Sequence, residues 1–233
     1  MGWLSPQEWE VLLLSLKVSG AAITAVLPLG FALAWVLARW RFPGKVLLDA
    51  VVHLPLVLPP VVTGWLLLLT FGTNAPLGRF LADTIGLTFL FRWTGAALAA
   101  AVMALPLMVR AMRLSLETVD RRLENAARTL GAGPWRTFFT ITLPLAMPGI
   151  MAGLVLGLAR SVGEFGATIT FASNIPGETQ TLPLAIYSAL QLPGTEVQVA
   201  RLAGLSVLLS VSALALSEWL ARRNNPGKDR HVL

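Results

Sequence analysis

The sequence predicts an all-α, polytopic membrane protein, and three observations carry the prediction. Of its 233 residues, 55% are hydrophobic and only 13% are charged, against about 25% charged in a soluble domain. Mean hydropathy is +0.71. Apolar runs long enough to cross a hydrocarbon core of ~30 Å recur along the chain. Basic residues gather in alternate loops, so the net charge of +6 reflects topology and not nucleic-acid binding. The length fits one domain over residues 1–233. With no cysteine, the chain has no disulfide framework, thiolate metal site or Cys nucleophile. The first ten residues contain Glu8 and Glu10 but no Lys or Arg, so a cleaved secretory signal is not expected.

The first span is expected over 11–38, with Lys17 near its outer end and free to snorkel. A short basic turn, Arg39 to Lys45, leads into a second span over 46–71. His53, Pro55, Pro59 and Pro60 lie inside it. The prolines should bend this span and strand carbonyls, which is tolerable only against protein or a water-lined path. His53 is a proton-carrier candidate, set against the commoner hydrogen bond to a nearby carbonyl. After a loop with a short amphipathic piece near Phe80–Ile85, the third span covers 93–109. A cytoplasmic loop over 117–144 follows. The fourth span covers 145–172. An apolar piece at 182–192 is too short to cross, and the fifth span covers 199–220 before a basic tail at 221–233. Arg39, Arg41, Lys45, the central arginines and Arg222, Arg223, Lys228 and Arg230 fall on one side. That places the N-terminus outside and the C-terminus inside, with five spans between. Trp3, Trp9, Trp40, Trp65, Trp93 and Trp219 lie mostly near span ends, as an interfacial belt would.

The central loop has the composition of a docking knob. Its first half reads as a helix with Ala126, Ala127 and Leu130 on one stripe and Glu124 one turn from Arg128. Gly131, Gly133 and Pro134 then break the chain. A second short helix is expected from Trp135 to Thr140.

Within the fourth span, Arg160 and Glu164 stand four residues apart. Ionisable groups at that depth pair or face a cavity. Two readings stay open: an ion pair that fixes packing, or a path for an anion lined by Arg160, Ser161, Thr168 and Thr170. Glu164 would repel an oxyanion, so it serves as a partner to Arg160 or to backbone. Gly163 and Gly166 flank the pair and permit a break or a close approach, with Phe165 between them. No Ser, His and carboxylate set suggests catalysis, two histidines cannot form a metal cage, and there is no Walker-type phosphate loop. The chain is therefore expected not to be an enzyme and to bind no ATP or other cofactor itself.

The order Ala126-Ala127, Gly131, Ile141-Thr-Leu143-Pro144 resembles the EAA loop of the membrane-spanning subunits of bacterial ATP-binding-cassette importers. Where that loop usually carries Glu, this chain has Asn125, with Glu124 just before it. Further similarity is to the molybdate importer permeases and their sulfate and thiosulfate relatives. It is carried by His53-Leu-Pro-Leu-Val-Leu-Pro-Pro-Val-Val-Thr-Gly64, Ala159-Arg-Ser-Val-Gly-Glu-Phe-Gly-Ala-Thr168 and Asn174-Ile-Pro-Gly-Glu-Thr-Gln-Thr181, and covers about residues 10–222.

The resemblance implies the type I importer permease fold in the bacterial inner membrane. It implies a second copy of this permease, a dimeric ATPase holding ATP and Mg, and a periplasmic molybdate-binding protein. Glu124, Asn125, Ala126, Ala127, Gly131, Trp135, Ile141, Leu143 and Pro144 would couple to the ATPase. Arg160, Ser161, Gly163, Glu164, Phe165, Gly166 and Thr168 would form the path or gate. The substrate would be a tetrahedral oxyanion, molybdate first, with sulfate, thiosulfate and tungstate as alternatives. Some members carry an extra N-terminal helix, which this chain is expected to lack. A secondary anion transporter would need an inverted repeat or an ion relay, and neither is visible.

Overall fold

A computed structural model describes the backbone of residues 4–224, and the side chains of 4–212 and 215. Trp3 and the tail residues Lys228 and Arg230 lie outside it, as do the side chains of Trp219, Arg222 and Arg223. Among the described residues every regular element is helical.

α1 (Pro6–Arg39) starts on a capping box. Ser5 Oγ accepts from the Glu8 amide, and the Glu8 carboxylate accepts from the Ser5 amide. The same Glu8 is buried and meets Arg201 at 3.0 Å, which fastens the start of α1 to α11 (Glu196–Asn224). α5 (Trp93–Thr118) is the most buried of the long helices. Its Ala96, Ala100, Ala101 and Ala104 carry almost no bulk, so α1 approaches closely, and Met108, Met112 and Leu116 fill the remaining core. α1 and α5 run parallel. Lys17 Nζ sits 4.0 Å above the Trp93 ring near both starts, while Gly30 faces Leu105, Met108 and Val109 further along.

Two parallel neighbours joined in sequence need a connection back to the starting end, and α2 (Lys45–Val57) and α3 (Pro60–Phe71) make it. α2 begins beside the far end of α5, where Asp49 meets Arg113 at 2.9 Å. α3 ends beside the near one, where Phe71 packs on Phe89 with ring centroids 5.5 Å apart. The expected single span over 46–71 is thus two helices, bent by 116° at Leu58–Pro59. Pro59 and Pro60 remove two amide donors in succession, so the ladder ends and Pro60 opens a new first turn. His53 Nδ1 lies 2.9 Å from the Asp49 carbonyl oxygen and 3.3 Å from the Asp49 carboxylate.

The third span is longer than the expected 93–109. It continues to Thr118 because Arg113 is held by Glu117 at 2.8 Å and by Asp49 across the gap. α8 (Leu143–Val162) runs back antiparallel on α5, with Gly149 against Ala111 and Ser115 and Gly157 against Met108. The expected span 145–172 is interrupted. α8 stops at Val162, and α9 (Gly166–Phe171) starts after a three-residue break. α4 (Pro76–Ile85) and α10 (Leu182–Leu190) are short, as the sequence suggested. Three helices among the described residues are long and apolar enough to cross a membrane, and the bent α2–α3 pair makes a fourth if taken as one broken span.

The closest helix contacts rest on glycine. A Cβ on Gly149 would press into Ser115 and stand 3.0 Å from the Ala111 carbonyl oxygen, whereas one on Gly20 would meet nothing within 4 Å. Gly149→Val should therefore destabilise the folded protein by about 1–3 kcal/mol. Gly20→Ala should leave it unchanged or up to about 1 kcal/mol more stable. Thermal melting of the detergent-solubilised chain measures both.

Candidate functional site

The central loop folds as an elbow. Asp120 caps α6 (Arg121–Thr129), its carboxylate accepting from the Arg122 amide at 2.8 Å. At the other end the Gly131 amide donates to the Arg128 carbonyl and the Ala132 amide to the Ala127 carbonyl, both at 3.0 Å. This double closure needs a left-handed residue, and Gly131 has φ +84°. Gly133 then caps α7 (Pro134–Thr137), with Pro134 in its first position.

The second short helix, expected from Trp135 to Thr140, does not end there. α7 passes through a π-helical turn, Phe138–Thr142, directly into α8, giving one helix from Pro134 to Val162. The wider turn, closed by the Leu143 amide on the Phe138 carbonyl, accommodates Pro144, which offers no amide to the ladder. Ile141 and Leu143 are half-buried on this turn and Pro144 is exposed.

Glu124 does not pair with Arg128. Its carboxylate is gripped by both terminal nitrogens of Arg39, at 2.8 and 3.2 Å, and by Thr142 Oγ1 at 2.6 Å. Both side chains of the ion pair are nearly buried. A fork of donors from α1 and a hydroxyl from the π turn outcompete a solvent-exposed neighbour on the same helix. The clamp ties three chain segments together: the end of α1, the front of α6 and the base of α8. An aromatic cluster backs it. Trp35 meets Phe138 edge-on at 5.2 Å and Phe31 lies 6.2 Å from Phe138, while Arg39 lies over Trp35 at 5.5 Å.

α6 therefore has two faces. Arg121, Glu124, Asn125 and Arg128 look inward, across a groove of about 660 Å³, to Phe31, Trp35 and Trp40 of the first helix and its end. The opposite face shows Leu123, Ala126 and Leu130, the last 88% exposed, while Ala127 is half-buried. Trp135 and Phe139 stack at 6.3 Å and are also exposed. Leu123, Ala126 and Leu130 leave an apolar stripe exposed on the outer face of α6, and Trp135, which also lines the groove, adds exposed apolar surface beside it in sequence.

A second cluster lies at the other end of α8. Arg160 meets Glu164 at 2.6 Å, close but off the line of a hydrogen bond. The other Glu164 oxygen accepts from the Ala167 amide at 2.8 Å and so caps α9 across the Gly163 break. Ser161 and Thr168 are buried, and Ser161 Oγ has no partner among the described residues. Thr170 returns its hydroxyl to the Gly166 carbonyl. Arg160 is the partly exposed charge here, and Phe165 packs 5.0 Å from Tyr187. α9 rests on α3 through glycines, Gly166 against Pro60 and Gly64 against Ala167 and Thr170. The structure thus separates the predicted residues into two sites joined by one helix. Arg39 and Thr142 were missed because their partner is distant in sequence and no local spacing signals it.

The family described as binding-protein-dependent transport system inner membrane component matches residues 27–226. The chain is 61% identical to the molybdenum transport system permease protein ModB of Escherichia coli (strain K12), over 94% of this chain and 96% of that one. It is 58% identical to its Haemophilus influenzae namesake, over 93% and 94%. It is 35% identical to the E. coli sulfate transport system permease protein CysT, over 96% and 84%. Among solved structures it is similar in fold to a bacterial alginate ABC transporter, with TM-score 0.74 at 18% identity over 95% of this chain and 80% of that one. It is also similar to the MetNI methionine transporter, with TM-score 0.68 at 18% identity over 93% and 94%.

Glu124→Ala should leave Arg39 buried without a counter-charge and cost about 3–5 kcal/mol. A double-mutant cycle of Glu124→Gln with Thr142→Val should give a coupling of roughly 1–3 kcal/mol. Hydrogen exchange should accelerate in residues 121–137 and not in α5.

Proposed function

The chain belongs to the binding-protein-dependent transport system inner membrane component family, and on that premise we propose that it is the membrane-spanning subunit of an ATP-driven molybdate importer. It is a multi-pass inner-membrane protein and a transport subunit, not an enzyme. The substrate reading is supported by 61% identity to a molybdenum permease, against 35% to a sulfate one.

The observation that carries the mechanism is the two-faced elbow on an unbroken helix. An ATPase would cover Leu123, Ala126, Leu130 and Trp135, with Asn125 at the edge of the contact. Movement of that partner would push the elbow, and the Glu124 clamp would make α1 and α8 follow. A helix of 29 residues reaches about 44 Å, so the push arrives at the Gly163 break where α8, α9 and α3 meet. Glu164 holds that junction through Arg160 and the Ala167 amide. Opening it would expose Arg160 and neighbouring hydroxyls to a passing oxyanion. A path of hydroxyls and one shielded guanidinium binds a dianion weakly, which suits transit because a tight site would trap the ion midway.

The proposal includes a second copy of this permease, a dimeric ATPase carrying ATP and Mg, and a periplasmic binding protein that delivers the anion. It also includes five crossings with the N-terminus outside. The alternating directions of α1, the α2–α3 pair, α5 and α8, and the outer tie of Glu8 to Arg201, support that count.

The reconstituted complex should hydrolyse ATP faster with loaded molybdate-binding protein. Stimulation by sulfate alone would move the assignment to the sulfate permeases, and uptake by this chain without an ATPase would overturn it. Gly131→Val puts a β-branched residue at φ +84° and should reduce ATPase co-purification and uptake. Arg160→Ala should lower uptake while the ATPase still co-purifies.

A further inference from the structure

The groove between the end of α1 and the inward face of α6 holds the Glu124 clamp and shares Asn125 and Trp135 with the rim of the proposed ATPase contact, but that mechanism gives no part to Arg121, Arg128 or the apolar wall. Its lining carries three guanidinium groups and one carboxylate. Glu124 neutralises Arg39, and neither Arg121 nor Arg128 forms an ion pair among the described residues. Two positive charges therefore face the groove unmatched. Its inner wall is different in kind: Phe31, Ala32, Trp35 and Val36 belong to the last apolar turns of a membrane helix. Trp35 and Trp40 lie at the end of this apolar helix, the kind of position in which aromatic side chains mark a bilayer surface. The groove is thus basic toward water and apolar toward the acyl layer.

We propose that this groove seats an anionic phospholipid, its phosphate between Arg121 and Arg128 and the start of one acyl chain along Phe31 and Trp35. Charge complementarity and continuity with the lipid-facing side of α1 select this occupant over an acidic protein segment, which would leave the apolar wall unsatisfied. About 660 Å³ accommodates a glycerophosphate headgroup and the first acyl carbons. Basic pockets between helices at the membrane surface hold such headgroups by the same chemistry. The bound lipid would brace the elbow against α1. The inference rests on the membrane location and on the two unmatched arginines, not on which ion is carried.

The test uses the purified full chain in detergent and native mass spectrometry with phosphatidylglycerol or phosphatidylcholine of identical acyl chains. Phosphatidylglycerol should be retained in preference. Arg121→Gln with Arg128→Gln should weaken that retention ~30-fold while leaving phosphatidylcholine unchanged. Arg121→Lys with Arg128→Lys should restore most of it, which separates charge from misfolding. Equal retention of the two lipids, or no loss in the glutamine double variant, would overturn the proposal. So would binding of glycerol 3-phosphate or inorganic phosphate as strong as the lipid's, which would make the groove a soluble-anion site. A double variant that keeps its lipid but loses the ATPase would assign the groove to a protein segment. None of these readouts involves transport, so a failure here is distinguishable from a failure of the molybdate assignment.

Discussion

One carboxylate holds the central elbow of this molecule together. Glu124 sits at the meeting point of three segments that are far apart in sequence. Arg39 and Thr142 saturate it with charge-assisted donors where little water reaches. An exposed ion pair in that position would contribute almost nothing. A buried one is valuable for what its loss would cost, because an unpaired guanidinium beside Trp35 and Phe138 has nowhere favourable to go. Position therefore matters more here than net stabilisation. The elbow cannot shift relative to α1 without breaking the fork.

The fold was legible where composition decides it. Apolar runs against a low charge content identify a helical membrane protein, and the pair Gly131 and Gly133-Pro134 announces the elbow because no other residues close α6 and open α7 so cheaply. The resemblance of the loop pointed to the family that residues 27–226 match. Sequence reasoning failed where the answer depends on direction or on a distant partner. Three prolines in the second run signal disruption, but not that the axis swings through 116°. Glu124 and Arg128 have the spacing of a helical pair, and only the tertiary arrangement puts Arg39 closer. The π turn ahead of Pro144 leaves no mark in hydropathy, since Phe138 to Thr142 reads as ordinary helix. Ser5 and Glu8 carried an available signal, the spacing of a capping box, that composition alone did not use.

The interior is economical in a way that suits lipid. Without a strong hydrophobic drive between helices inside a bilayer, contact area has to come from close approach. Alanines on α5 and glycines on α8 provide it, while Met108 and Met112 take up the irregular remainder. The same device joins α3 to α9 through Gly64 and Gly166, so the two broken helices pack backbone to backbone beside the Arg160–Glu164 pair.

α1 is secured at both extremities, by Glu8 to Arg201 at one and by Arg39 to Glu124 at the other. A rod pinned twice cannot slide along its neighbours; it must tilt, flex or release an anchor. Pro28 lies between the pins and removes one rung of the ladder there, which gives the rod a compliant point roughly one-third of its length from the inner pin. Bending strain imposed from either surface would concentrate at that residue and leave both pins intact.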